Sequence, residues 1–107
     1  MDMANYIYSI LKNQLNIMWS WGLTNPYSLP NNKGLIFHVD GFLHHGFVTI
    51  LYNGGKDLFN IFLLNNKMGI VKKIEGVYFD RLVDIIDAEV EKVEDYENRI
   101  RQEYSLL

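Results

Sequence analysis

The segment Asn53-Gly54-Gly55-Lys56 constrains this chain more than any other. It separates two apolar runs, residues 47–52 and 57–64, rich in β-branched and aromatic side chains. Asn-Gly between such runs is a strong hairpin signal, because both residue types tolerate positive φ in a tight turn. The chain is therefore expected to be built around an antiparallel pair. A weaker strand at residues 70–75 follows the turn Asn65-Asn66-Lys67-Met68-Gly69, with Lys72 and Lys73 toward solvent as on a protected edge. Residues 35–43 form a strand before the pair. His44-His45-Gly46 is the preferred hairpin loop there, ahead of Asp40-Gly41.

A helix is predicted on each side. Over residues 3–21, Met3, Ile7, Ile10, Leu11, Ile17, Met18 and Trp21 recur at three-and-four spacing. Asp2 caps its start, and Gly22 suits the left-handed position past its end. Asn25-Pro26 and Leu29-Pro30 read as a loop. Over residues 80–103, Val83, Ile86, Val90, Val93, Ile100 and Tyr104 keep a helical rhythm. The fold class is α+β: a three- to four-stranded antiparallel meander flanked by an N-terminal and a long C-terminal helix. With 107 residues, 49% of them hydrophobic, and no linker or repeat, one domain over residues 1–107 is expected. Residues 94–107 are expected to form a projecting helical tail, because a helix of that length outruns the strands beneath it.

Composition narrows the function classes. There is no cysteine, which removes thiol catalysis, thiolate metal sites and disulfides, and fits a reducing, cytoplasmic location. No membrane segment is expected, since polar residues interrupt every apolar run. Net charge is −3, with nine acids and four bases in residues 80–103. That balance weighs against a polyanionic partner.

Three residue groups could hold chemistry. His38, Asp40, His44 and His45 fall within eight residues, and imidazole with carboxylate suits zinc or iron. The spacing is also that of an outward strand residue and a solvated turn, so no metal and no cofactor is expected. Lys56, Lys67, Lys72 and Lys73 could make a small basic patch at one end of the sheet. The order helix, three strands, helix is shared with double-stranded-RNA-binding domains, which grip phosphates with basic residues at the start of the last helix. Here that helix opens Asp80-Arg81-Leu82-Val83-Asp84, which repels phosphate, so nucleic-acid binding is not the favoured reading. Asp40 and Asp57 could act as a carboxylate pair, but each adjoins a glycine turn, where aspartate commonly serves the backbone. No glycine-flanked serine or phosphate-cradling loop is present.

The third group is apolar. In residues 58–64, Leu58, Phe62 and Leu64 share one face with Asn60, and Phe59, Ile61 and Leu63 share the other. A half-solvated strand should alternate with polar residues. Either helices cover both faces or one face binds a partner. The sequence thus favours a non-catalytic protein-interaction module, expected to be a homodimer that self-associates through Tyr96, Ile100 and Tyr104 of the last helix and through Phe59 and Ile61 of the sheet. A nucleic-acid-associated accessory protein is the alternative, and an orphan enzyme with a His/Asp site the third.

Overall fold

The computed structural model describes residues 2–91. The chain opens with two helices, α1 (Met3–Lys12) and α2 (Leu15–Ser20). The Asp2 carboxylate caps α1, accepting the backbone N–H of Asn5 at 3.3 Å. The single predicted helix over residues 3–21 is interrupted at Asn13-Gln14, where Gln14 leaves the helical region (φ −123°, ψ 66°). A continuous helix would carry polar Gln14 along the same seam as Ile7, Leu11 and Met18. The break keeps Gln14 exposed while Met18 and Trp21 reach the core. Gly22 takes φ +62° and reverses the chain.

Five strands follow in a meander of order β1-β2-β3-β4-β5, every pair antiparallel. They are β1 (Thr24–Ser28), β2 (Gly34–Asp40), β3 (His45–Asn53), β4 (Leu58–Leu64) and β5 (Ile70–Val77). The strand absent from the sequence reading is β1. It contains Asn25 at φ +52° and Pro26, both normally strand breakers. An edge strand tolerates them, because an irregularity between Thr24 and Tyr27 absorbs the residues that cannot enter the ladder. The Asn53 turn and the pairing across it are as expected: Phe47 lies opposite Leu64 and Asn53 opposite Leu58. The β2–β3 connection is Gly41–His44, because Asp40 pairs directly with His45 and draws that histidine into the strand. Two short 3-10 turns, Pro30–Asn32 and Phe79–Arg81, lead into β2 and into helix α3 (Leu82–Val90).

The three described α-helices pack on one side of the sheet. Ile7, Leu11, Met18 and Trp21 meet Phe37, Val39, Val48, Ile50, Phe59, Ile61 and Leu63, and α3 adds Leu82, Val83, Ile86 and Val90. Trp21 stacks on Phe37 with ring centroids 6.4 Å apart and donates its indole N–H to Asp87 at 3.0 Å. That one side chain ties α2, β2 and α3 together. The expected tail over residues 94–107, and with it Tyr96, Ile100 and Tyr104, lies outside the described residues.

Candidate functional site

The alternation of the strands fixes what the face away from the described helices presents. Leu35, Phe37 and Val39 point to the helices, so Ile36 and His38 point away. On β3 the outward residues are Phe47, Thr49 and Leu51, and on β4 they are Leu58, Asn60, Phe62 and Leu64. One row crosses the whole sheet: Tyr27, Ile36, Thr49, Phe62 and Lys73 are successive partners. Most of these side chains are apolar and half-buried, with no described helix over them. Thr49 sits at the centre, 8% exposed, and its Oγ1 has no hydrogen-bond partner among the described residues. At the edge, Lys73 lies 5.5 Å from the Phe62 ring centroid and pairs with Glu75 at 2.6 Å, which holds the Glu75 carboxyl below its ordinary range.

Phe59 and Ile61 belong to the opposite face. Both lie in the core beneath the helices, 2% and 0% exposed. The sequence identified a strand with two apolar faces but not which face the helices take. Among the described residues, no helix covers the one carrying Leu58 and Phe62.

The histidine group disperses. His45 and Asp40 contact each other across the β2–β3 ladder at the sheet end. His38 is on the open face, where its Nε2 meets the Asn66 side-chain oxygen at 2.9 Å and its ring meets Phe47 edge-on at 5.0 Å. His44 turns inward, its Nε2 3.3 Å from the Phe47 carbonyl oxygen. Among the described residues no three His, Asp or Glu side chains converge as metal ligands would. Asp40 and Asp57 are not brought together either, since β3 runs between them. The lysines separate as well. Lys56 and Lys67 occupy turns at opposite ends of β4, Lys72 pairs with Glu89 of α3 at 2.7 Å, and Lys73 faces the other side of the sheet.

A second feature has no counterpart in the sequence reading. On the helix side, at the end of the sheet closed by the β3–β4 turn, Met3 and Tyr6 of α1, Tyr52, Asp57, Phe59 and Phe79 line a cavity of about 320 Å³. The turn is longer than a two-residue Asn-Gly hairpin. The Asn53 side-chain oxygen accepts the Gly55 N–H at 3.1 Å, and Asp57 takes the left-handed conformation at φ +55°. The Tyr52 hydroxyl donates to the Asp57 carboxylate at 2.6 Å. The Tyr52 and Phe59 rings are 5.4 Å apart and tilted by 54°. Tyr52, Asp57 and Phe59 belong to the β3–β4 hairpin, and Met3, Tyr6 and Phe79 reach it from the two ends of the described chain.

The Tyr52 phenol ionises above its ordinary value of 10.0, first because its proton is held by Asp57, then through desolvation and the charges of Asp57 and Tyr6. A raised folded value contributes stability below the unfolded value of about 10, and that contribution is lost as pH rises through the folded one. NMR titration of the tyrosine ring carbons is expected to show Tyr52 ionising above pH 10. Asp57→Asn should bring it down by removing the carboxylate that holds its proton and, with it, the adjacent charge; an unchanged Tyr52 titration would contradict the contact.

No protein-family model, curated protein or solved structure matches this chain.

Proposed function

We infer that this protein is a non-catalytic interaction module whose binding surface is the sheet face away from the described helices, and that its partner is a second copy of the same chain. The observation supporting this reading is the run of outward apolar side chains, Ile36, Phe47, Leu51, Leu58 and Phe62, on a face with no described helix. A solvated antiparallel face normally alternates apolar-in with polar-out. Contiguous apolar patches on a soluble surface mark contact sites.

A second copy fits because the central row is self-complementary. A two-fold axis parallel to β3, running between two facing sheets, sets β1 over β5 of the partner and β2 over β4. Ile36 then meets the partner's Phe62. Tyr27, 66% exposed, meets the partner's Lys73, a favourable cation–ring pair. Size argues for a further contribution. Five strands about 4.8 Å apart and seven residues long at about 3.3 Å each cover roughly 550 Å². A stable interface takes about 800 Å² from each partner. The sequence stripe Tyr96, Ile100 and Tyr104, outside the described residues, supplies the remainder in this proposal.

Sedimentation or light scattering at high micromolar concentration tests it. The native chain should be dimeric, and both Phe62→Glu and Ile100→Asp should shift it to monomer without lowering helix or sheet content. A monomeric native chain, or a dimer indifferent to both charges, would overturn the proposal.

A further inference from the structure

The cavity between α1, the β3–β4 turn and Phe79 combines two features that together select a ligand class. Its walls are predominantly aromatic: Tyr6, Tyr52, Phe59 and Phe79, with Met3 completing the apolar lining. Its one carboxylate is that of Asp57, which takes φ +55° and accepts a hydrogen bond from the Tyr52 hydroxyl. At about 320 Å³ it falls at the small end of ligand sites. Phe59 and Met3 are buried and form a fixed floor, whereas Phe79, 56% exposed, stands at the rim.

We propose that this cavity is a binding site for a quaternary or fully alkylated ammonium group. Aromatic faces carry negative quadrupolar charge and attract a cation within about 6 Å of the ring centroid. The Asp57 carboxylate adds a net negative charge at the same place. A neutral apolar ligand would gain nothing from that carboxylate. A primary ammonium would find an acceptor in the Asp57 carboxylate, but the ring faces offer no strong acceptors for its remaining N–H donors, so it would recover its hydration only in part. A trimethylammonium head has no N–H to satisfy, presents methyl groups to the rings and keeps its positive charge. The site is on the helix side of the sheet and does not depend on the self-association argued above.

The test pairs choline with its uncharged isostere 3,3-dimethylbutanol, each titrated into the full chain and followed by amide and ring NMR shifts. Choline should perturb Tyr6, Tyr52, Asp57 and Phe79 and bind at least about tenfold tighter than the alcohol, since only the charge differs between them. Asp57→Asn should weaken choline about fivefold and leave the alcohol unchanged. Asparagine adopts positive φ readily, so that variant should keep the fold. Phe79→Ala, at an exposed position, should weaken choline about threefold. A peptide bearing ε-N-trimethyl-lysine, run in parallel, distinguishes the source of the group. Tighter binding of the peptide assigns it to a modified protein, and tighter binding of choline to a free small molecule. Equal binding of choline and the alcohol, no shifts at millimolar choline, or an Asp57→Asn variant that binds choline like the native chain would each overturn the assignment.

Discussion

Ile61→Ala is expected to destabilise the fold by about 2–5 kcal/mol, whereas Phe62→Thr, one residue along the same strand, should cost about 1 kcal/mol. Ile61 is fully buried beneath the helices, paired with Ile50 on one side and Ile74 on the other. Truncating it leaves a cavity that rigid neighbours cannot close. Phe62 points to the face away from the described helices and is half-buried there. Threonine keeps the β-branched shape that a strand favours. Urea unfolding of both variants at low micromolar concentration reads the difference, with unchanged slope if the same surface is exposed. A Phe62→Thr loss as large as that of Ile61→Ala would mean that this face is covered in the monomer. That result would remove the surface on which self-association is argued.

Gly34→Ala should destabilise by at least about 3 kcal/mol and reduce soluble yield sharply, a large fraction of the roughly 5–15 kcal/mol that holds a domain folded. A Cβ at position 34 would sit 1.9 Å from the Ile50 carbonyl oxygen, and that oxygen belongs to the central strand and cannot move alone. The start of β2 would be forced off β3, and the Leu29 N–H bond to the Gly34 carbonyl oxygen would go with it. Gly54→Ala and Gly55→Ala are the controls. Their added Cβ atoms meet nothing closer than 3.5 Å, and neither glycine has a positive φ. Both should be neutral or stabilising by about 0.5 kcal/mol, because alanine restricts the unfolded chain. Thermal melts of the three variants provide the measurement. A Gly34→Ala protein that melts with the native chain would show that β2 can be displaced without loss.

The order helix, antiparallel meander, helix was legible because each signal is local. Asn53-Gly54 breaks the apolar run where the chain must turn, and Asp2 and Gly22 bracket the helical region. The α+β class followed from two periodicities, three-and-four in Met3 to Leu11 and Val83 to Val90, and two in Leu35 to Val39. What alternation cannot supply is direction. A one-residue argument separates Ile61 from Phe62, but both faces of β4 are apolar, so the side that becomes core depends on where α1 and α3 pack. Edge strand β1 was hidden for a related reason. Pro26 and Asn25 break a strand in isolation, and only the partner β2 makes their placement tolerable.

The aromatic cavity was legible only in its hairpin half, since Tyr52, Asp57 and Phe59 flank the predicted turn while nothing in the spacing brings Tyr6 and Phe79 to them. Tyr6, Tyr52, Asp57, Phe59 and Phe79 are scattered over more than seventy residues, and each alone reads as core or turn. Sequence by itself determined which residues are apolar, where the chain turns and which elements form, because backbone preference and solvent transfer act residue by residue. The tertiary structure alone decided which sheet face the described helices cover and which side chains meet around Asp57. Those outcomes depend on long-range packing, which brings together residues that share no local pattern.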